Sequence, residues 1–418
     1  MANIYPRKNK KGQITSFTIR VFRGKDENGK NLKPYTTSFK PKQNWSEERS
    51  EKEVQKFAIL FEKDCQNGKI IENKQTFKEY AEYVLNLKER NGKIKHKTLI
   101  FYRSLLERIN IAIGHIKLVD LKPQHLNEFY TMLGQEGSNL ITGEALSSKT
   151  ILEHHRLIRT ILKQADKEML VQYNAADKAT PPTNKKKEAK FIEIEDIQNI
   201  LRYLDNEPLK WQVVMNLLIY TGCRRGEIAG IKIKNIDFKN CGINIKNNLL
   251  YSRDKGIYED SPKTETSIRI VSIPERIMKI VKRLVMENKK NILKYGNKWN
   301  DTGYLLTQEN GMPMHPDSIT DYCSKFEKKY NKLIEEKNKT LNKKDKLKKL
   351  PHINPHAFRH SQASILLYEG LDPVTVSKRL GHASVSTTTD IYSHIIKKAD
   401  QIAATKLDDL FCKPKKNN

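Results

Sequence analysis

A short proline-containing stretch near the middle of the chain most constrains how it folds. Thr180-Pro181-Pro182-Thr183 is followed by Asn184 and then by three consecutive lysines. Adjacent prolines stiffen the backbone and exclude a helix interior or a central strand, and the lysines keep the next residues solvated. Because 418 residues also exceed one ordinary domain, we place a domain boundary here and expect a separate core on each side.

Basic side chains greatly outnumber acidic ones. The chain has 77 Lys and Arg against 49 Asp and Glu, a formal net charge of +28 at pH 7. The excess is spread along the whole chain and indicates a polyanionic partner. The alternative is a well-solvated, lysine-rich protein from a host of biased composition. Composition alone does not distinguish these two interpretations, and it specifies neither the fold nor the chemistry of the protein.

The cysteines and the hydropathy pattern indicate a compartment. The five cysteines are scattered, odd in number and without C-x-x-C spacing. This pattern is typical of a reduced cytosol and argues against a disulfide framework or a zinc site. The N-terminus has no apolar signal region, and no run of about 18 apolar residues occurs. We expect a soluble, cytoplasmic protein.

The first 70 residues predict a small sheet followed by a helix. β-Branched and aromatic residues mark strands at 14–22 and 33–39, with a candidate third strand at 2–6 and a helix from 46 to about 65. Arg20, Arg23, Lys33 and Tyr35 are expected on one side of this sheet. Such a ribbon fits a DNA major groove. A hairpin with solvated lysines that merely caps the domain explains the same composition equally well.

Residues 71–183 predict a compact, all-helical domain. Residues 76–89 have apolar side chains at helical spacing, and two later helices begin at candidate hydroxyl caps, in Lys97-Thr98 and in Ser147-Ser148-Lys149-Thr150. Both helices are expected to continue with a cationic polar face, which includes His154. The residues predicted to contact phosphate are Lys97, Thr98, Arg103, Lys149, Thr150, Arg156 and Arg159.

The motifs with chemical content lie in residues 184–418. An apolar stretch at 211–220 predicts a buried helix, after which Thr221 is expected to cap a short new helix. In that helix Arg224 is expected near the N-terminus, and Glu227 one turn later. Residues 242–245 and 263–274 are predicted to be antiparallel strands, with Lys263 near the turn that enters the last one. The lysine-rich residues 331–350 predict a surface helix and loop.

A second cationic motif follows near the C-terminus. Asn354 is a candidate helix N-cap and Pro355 the first helical residue, so His356 and Arg359 share one face of the first turn. A helix N-terminus that carries an arginine suits a phosphate, because free N–H groups and the guanidinium point at the same anion. A tyrosine hydroxyl near such a phosphate is a potential nucleophile.

The order of these motifs resembles the tyrosine recombinase (phage integrase) family, as found in phages and integrative conjugative elements. The motifs are T-G-x-R-x-x-E at 221–227, Lys263, H-x-x-R at 356–359, L-G-H at 380–382 and Tyr392. The resemblance implies a multidomain fold, mainly α-helical with small antiparallel β-sheets. Its parts are a three-stranded arm-type DNA-binding sheet (1–70), a SAM-like helical core-binding domain (71–183) and an α+β catalytic domain with a C-terminal helix and tail (184–418).

The resemblance also implies a role for each motif residue. Tyr392 resembles the nucleophile that attacks the scissile phosphate and forms a 3′-phosphotyrosyl link. Arg224 and Arg359 resemble the pair that binds its non-bridging oxygens, and Lys263 the general acid for the 5′-oxygen. His356 and His382 match the histidines that assist proton transfer and phosphate binding. The resemblance implies neither metal nor cofactor.

Several of these assignments have competitors in the sequence. Arg225 competes with Arg224, although the T-G-x-R register favours the latter. Arg269 competes with Lys263, and its place on a strand indicates an exposed or DNA-facing side chain. His382 is alternatively a structural histidine. The expected supporting residues are His360 beside Arg359, Glu227 holding the Arg224 loop and Cys223 as a small packing residue.

The implied function is site-specific recombination that integrates and excises a mobile element. The implied partners are double-stranded DNA (element ends and target), a homotetramer, a possible excisionase or DNA-bending protein, and no membrane; the protein would be associated with the nucleoid. An apolar helix at 395–410 is expected either to dock on a neighbouring protomer or to pack on its own. The alternatives are a type IB topoisomerase, a chromosome-dimer resolvase and a non-catalytic DNA-binding regulator.

Overall fold

The computed structural model describes residues 2–9, 12–25, 27, 29–42, 44–66, 74–184, 191–260, 268–382, 384–386, 407 and 411. The chain divides into two compact units, Met1–Lys186 and Lys187–Asn418. Lys263, Tyr392 and nearly all of the helix predicted at 395–410 lie outside the described residues. No helix within the described ranges is long and apolar enough to cross a bilayer.

The N-terminal unit begins with a three-stranded antiparallel sheet, as predicted. Its strands, in the order β1-β2-β3, and the helix that follows them are β1 (Asn3–Lys8), β2 (Ile14–Val21), β3 (Tyr35–Phe39) and α1 (Glu47–Gln66). Phe17 and Ile19 of β2 pack against Val54 and Ala58 of α1 in one small core. Because strand side chains alternate, the other face of β2 is left uncovered by α1.

The prediction that Arg20, Arg23, Lys33 and Tyr35 share one side of the sheet is wrong for Tyr35. Tyr35 pairs with Val21, which is buried on the same face as Ile19, whereas the exposed Arg20 points to the opposite face. Paired residues on neighbouring strands share a face, so the register separates Tyr35 from Arg20. Arg20 stacks on the Tyr5 ring, and Arg23 stacks on Tyr35.

The helical part of the same unit has its own core. Its helices are α2 (Phe77–Arg90), α3 (His96–Ile113), α4 (Pro123–Leu133) and α5 (Ser148–Lys167). Fully buried residues of all four helices meet there, including Phe77, Ile109, Leu126 and Ile158. Thr76 and Glu79 form a capping box on α2, and the Ser147 hydroxyl caps α5 as predicted.

Two predictions about the cationic helix faces are wrong. Thr98 does not cap α3, because the helix begins at His96 after Lys95, which makes no side-chain cap. His154 is 1% exposed and its Nδ1 lies 2.8 Å from the Thr150 carbonyl oxygen, so it belongs to the core. Three arginines that do reach the surface are ion-paired: Arg103 with Glu89, Arg156 with Glu153 and Arg159 with Asp177.

The C-terminal unit is built around one buried helix. Its elements are α6 (Ile194–Leu204), α7 (Leu209–Thr221), α8 (Arg225–Ala229), β4 (Ile236–Asp237), β5 (Gly242–Ile245), β6 (Asn248–Ser252), β7 (Gly256–Asp260), β8 (Arg269–Ser272), α9 (Glu275–Tyr295), α10 (Asp317–Asn338), α11 (Pro355–Tyr368) and α12 (Pro373–Leu380). Val213, Val214, Leu217 and Leu218 of α7 are completely buried, as the apolar run predicts. Helices α9 and α11 pack on α7, so this core fixes the position of the α11 N-terminus.

Two small antiparallel sheets complete this unit. The first has the order β4-β5-β8, with Ile243 paired to Val271, and the second is the hairpin β6-β7. The lysine-rich residues 331–350 continue α10 and then fold back along it. The Asn331 side chain accepts a hydrogen bond from the Leu350 backbone at 2.7 Å, and Lys348 pairs with buried Asp196 at 3.0 Å.

Candidate active site

The first arginine of the site lies in the turn between α7 and α8. Gly222 ends α7 with φ +60°, and a Cβ there would lie 2.3 Å from Gln362 Oε1 and 2.6 Å from Leu380 Cδ2. Only glycine fits this left-handed, closely packed position. Thr221 does not cap α8, contrary to the prediction: its hydroxyl donates back to the Leu217 carbonyl within α7. Arg224 itself occupies the N-cap position of α8.

Arg224 is held on two sides but remains accessible. Its Nη1 lies 2.8 Å from Glu227 Oε1, and the other carboxylate oxygen accepts the Arg224 backbone N–H at 3.0 Å. Its Nη2 donates to the Gly381 carbonyl at 3.4 Å. The side chain is 41% exposed. The guanidinium therefore has a fixed direction and an open side for a ligand.

The second arginine projects from the first turn of α11. As predicted, the Asn354 side chain caps this helix, accepting the Ala357 N–H at 2.9 Å, and Pro355 is its first residue. Arg359 is only 5% exposed and donates from Nη1 to the Gly222 carbonyl at 2.9 Å. Its Nη2 has no hydrogen-bond partner among the described residues. A buried, unpartnered cationic donor is costly and suits an anionic ligand.

The charge of Arg224 acts on Arg359. Burial, and next the positive charge of Arg224, lower the pKa of Arg359 to about 10. Glu227 partly opposes this effect. At neutral pH Arg359 stays protonated, so the site holds two positively charged guanidiniums and the Glu227 carboxylate that pairs with Arg224.

Two of the predicted histidines border this cationic pocket. The pKa of His356 lies below its usual value, because neighbouring atoms displace part of its hydration and because Arg359 and Arg224 repel a further positive charge. Burial, and then the same two arginines, lower the pKa of half-buried His382 to about 4. Both imidazoles are therefore neutral at physiological pH and can exchange protons or hydrogen-bond a phosphate.

His360 lies beside His356, one residue after Arg359. The two rings are 6.3 Å apart and nearly perpendicular. His360 is half-buried, and its pKa is lowered by burial and then by His356. The supporting role of His360 stays a prediction.

Arg225, the alternative to Arg224, turns toward α10. Its Nη1 lies 2.8 Å from Asp317 and 3.1 Å from the Thr320 hydroxyl. Arg224 is thus the arginine of this pair that hydrogen-bonds beside His382, through the Gly381 carbonyl. Cys223 is completely buried, and burial raises its thiol pKa to about 11, which agrees with a packing role.

The interpretation of Arg269 as exposed or DNA-facing is wrong. Its side chain is 7% exposed, and Nη2 lies 3.0 Å from Glu227 Oε2. Arg269 lies on the same face of β8 as Val271, which is buried like Ile273, while Ile270 between them is 70% exposed. The alternation puts Arg269 on the inward face of β8, beneath Arg224 and Glu227.

Burial alone would raise the pKa of Glu227, but attraction by Arg269 and then Arg224 is stronger, so the pKa is lowered overall. Glu227 is therefore ionised and pairs with both the accessible Arg224 and the buried Arg269. The structure thus gathers Arg224, Arg359, His356 and His382, while Lys263 and Tyr392 stay sequence predictions.

Two sequence families match the chain. The phage integrase family matches residues 190–399, and the phage integrase SAM-like domain matches residues 76–181. The first match alone spans half of the chain. The chain therefore belongs to the phage integrase family, the tyrosine recombinases, which are DNA breaking and rejoining enzymes.

Individual relatives sharpen this assignment. The chain is 26% identical to the ICEBs1 integrase of Bacillus subtilis over 342 residues, which cover 81% of this chain and 79% of the relative. Among solved structures, it is similar to the Tn1549 transposon integrase in complex with transposon right end DNA (TM-score 0.62, 22% identity, 78% and 99% covered). It is also similar to a lambda integrase tetramer bound to a Holliday junction (TM-score 0.51, 14% identity, 93% and 94% covered). The predicted family and fold are confirmed.

Proposed function

We propose that this tyrosine recombinase integrates and excises a mobile genetic element by cutting and rejoining double-stranded DNA through a covalent 3′-phosphotyrosyl intermediate. The single observation that carries the proposal is the pocket shared by Arg224, Arg359, His356 and His382. One guanidinium there is accessible, and the other has a buried N–H group that meets no hydrogen-bond partner in the described part of the chain. This set of cationic and neutral donors suits a phosphodiester.

The two arginines bind the phosphate and stabilise its transition state. During attack, negative charge grows on the non-bridging oxygens, and each planar guanidinium can offer a fork of donors to it. The Nη2 group of Arg359, which is unpartnered among the residues that the structure describes, can donate to the phosphate in this step. Loss of one such donor typically costs about 3–4 kcal/mol of transition-state stabilisation.

Proton transfer accompanies the attack. Tyr392 attacks phosphorus and gives up its proton, and the bond from phosphorus to the 5′-oxygen breaks. Lys263 protonates this oxygen, because an alkoxide is a poor leaving group; such positioned proton transfer contributes roughly 10²–10⁴ in rate. The neutral His356 accepts the tyrosine proton, and His382 hydrogen-bonds the phosphate. Reversal of these steps with a new 5′-hydroxyl rejoins the strands.

The net charge of the chain and its relatives support a DNA partner. The net charge of +28 suits a polyanion, and the transposon integrase named above is complexed with transposon end DNA. Since recombination joins four strands, we propose a tetramer on DNA, possible DNA-bending helpers and a nucleoid-associated location. For DNA contact we retain the surface residues Arg20, Arg23, Lys33, Lys97, Arg103, Lys149, Arg156 and Arg159, together with Tyr35, Thr98 and Thr150 near them.

A suicide substrate tests the proposal. A nicked duplex with an element end releases a short strand after cleavage, so the covalent adduct accumulates. We expect a protein–DNA adduct with the wild-type protein, none with Tyr392→Phe, and Tyr392 in the DNA-linked peptide. An equal adduct with Tyr392→Phe contradicts the assigned nucleophile. Absence of DNA binding at low salt contradicts the whole function.

A further inference from the structure

We propose that Arg269 is a positioning residue for strand cleavage: it fixes the Arg224 turn and the Gly381-His382 segment relative to each other. This inference rests on the proposed function and assigns a role to a side chain outside its catalytic set. Arg269 lies at the start of β8 and connects with both segments through separate hydrogen bonds.

The contacts of Arg269 divide between these two segments. Its Nη2 donates to Glu227 Oε2 at 3.0 Å and lies 3.2 Å from Cys223 Sγ, both in the Arg224 turn. Its Nε donates to the Arg379 carbonyl at 2.7 Å, at the end of α12. One planar group therefore sets the spacing between α8 and the C-terminus of α12. A lysine ammonium has no such fork and cannot make these bonds in the same plane.

The path from Arg269 to His382 runs through Gly381. Gly381 ends α12 with φ +68°, and a Cβ on it would lie 2.8 Å from Arg269 Nη1. The guanidinium thus packs directly against the glycine that precedes His382. The Gly381 carbonyl in turn accepts a hydrogen bond from Arg224 at 3.4 Å. Displacement of Arg269 would therefore shift both the orientation of Arg224 and the backbone at Gly381, which leads into His382.

The path from Arg269 to Arg224 runs through the Glu227 carboxylate. Glu227 bonds Arg269 with one oxygen and Arg224 Nη1 with the other. The charged or titratable groups that influence it electrostatically, among the described residues, are Arg269, Arg224, Arg359 and Cys223. Arg269 makes the largest attractive contribution to its low pKa. Without that cation, Glu227 takes up a proton at higher pH and releases Arg224.

The test is single-turnover adduct formation on the suicide substrate at saturating DNA, measured across pH. We expect Arg269→Gln to slow cleavage by about 10–100-fold, as small misplacements of catalytic groups do, with little change in DNA affinity. The acid limb of its pH profile should move to higher pH. Arg269→Lys keeps the cation but not the fork, so we expect slow cleavage with a smaller movement of the acid limb.

Arg379→Lys is the matched control. Arg379 is a neighbouring arginine whose Nη2 donates to the carbonyls of Tyr220 and Ser272. The control is expected to keep the wild-type acid limb even where its melting temperature falls. An equal movement of the limb in Arg379→Lys means that any loosening of this region suffices, and overturns the proposal.

Other outcomes are equally decisive. A wild-type cleavage rate in Arg269→Lys overturns the proposal, and so does a wild-type rate and pH profile in Arg269→Gln. If Arg269→Gln does not fold, Arg269→Lys decides: slower cleavage at an unchanged melting temperature supports the positioning role. If the wild-type protein itself forms no adduct, the proposed function fails, which is a separate result from a defect confined to the Arg269 variants.

Discussion

The turn before α8 and the first turn of α11 each supply one arginine to the same pocket, yet they hold it in opposite ways. Arg224 is 41% exposed and paired with a carboxylate, whereas Arg359 is 5% exposed, donates to a backbone carbonyl and leaves Nη2 unpartnered among the described residues. The first charge is compensated before DNA arrives. The second is compensated only weakly, and its lowered pKa reflects this.

This difference assigns different energetic roles to the two regions. In the Arg224 turn, Glu227 and Arg269 form a buried ion pair, so loss of either partner leaves the other charge buried and uncompensated. The buried, charged side chain of Arg359 lowers the stability of the free protein, because burial disfavours its charged form. Binding of a phosphate reverses that penalty. We therefore expect substitutions in the two regions to affect stability with opposite signs, although both reduce cleavage.

The largest effect on cleavage should come from Arg359→Met. It removes a transition-state donor, so we expect adduct formation to fall about 10²–10³-fold. In the absence of DNA, its melting temperature should stay unchanged or rise, because a buried, poorly paired cation is replaced by an apolar chain of similar length. Thermal unfolding of the free protein, alongside the adduct assay, checks both parts. A large drop in melting temperature would contradict the interpretation that charged Arg359 destabilises the free protein.

Glu227→Gln should show the opposite sign in stability. The substitution leaves Arg269 buried without its carboxylate, and breaking a buried ion pair from one side typically costs about 3–5 kcal/mol. We expect a clear loss in the free energy of unfolding, measured by urea denaturation, and slower cleavage. Equal stability of wild type and variant would mean that the turn is not held by this network.

A third, smaller effect concerns pH. The pKa of His382 is about 4 in the folded protein and near 6.5 when unfolded, so the unfolded chain binds more protons between these values. The resulting stability is fully present above pH 6.5 and is lost as pH falls toward 4. His382→Gln should flatten this decline in a series of urea titrations. A decline as steep as in wild type would contradict the burial of His382 beside the arginines.

The smallest effect is expected from Arg225→Ala, the neighbour of Arg224. Its ion pair with Asp317 is 40% and 46% exposed, and such pairs contribute about 0–1 kcal/mol. Adduct formation should stay within a few-fold of wild type, whereas Arg224→Ala should lower it about as much as Arg359→Met does. If the two variants behave in reverse, the assignment of the accessible arginine is wrong.

The sequence predicted the family and the α11 cap because both depend on local signals. The order of the motifs identifies the fold, and Asn354-Pro355 specifies a helix start irrespective of distant contacts. The caps assigned to Thr98 and Thr221 were wrong because a threonine hydroxyl is also accommodated within a helix, as Thr221 shows by bonding Leu217. A hydroxyl near an expected boundary therefore does not fix the first helical residue.

Tertiary placement was harder to predict. Tyr35 was assigned to the wrong face because strand register, which the sequence does not give directly, decides which residues are paired. Arg269 was assigned to the surface because a charged residue is rarely buried. Its partner Glu227 lies 42 residues away along the chain, and only the fold brings the two charges together.

The most direct test of the central claim, that Arg224 and Arg359 act on the charge of one phosphate, uses a substrate with a methylphosphonate at the scissile position. The methyl group removes the negative charge that the guanidiniums would stabilise. We expect the rate penalty of Arg359→Ala, measured as adduct formation relative to wild type, to be much smaller on this neutral substrate than on phosphate. An equal penalty on both substrates would contradict the account.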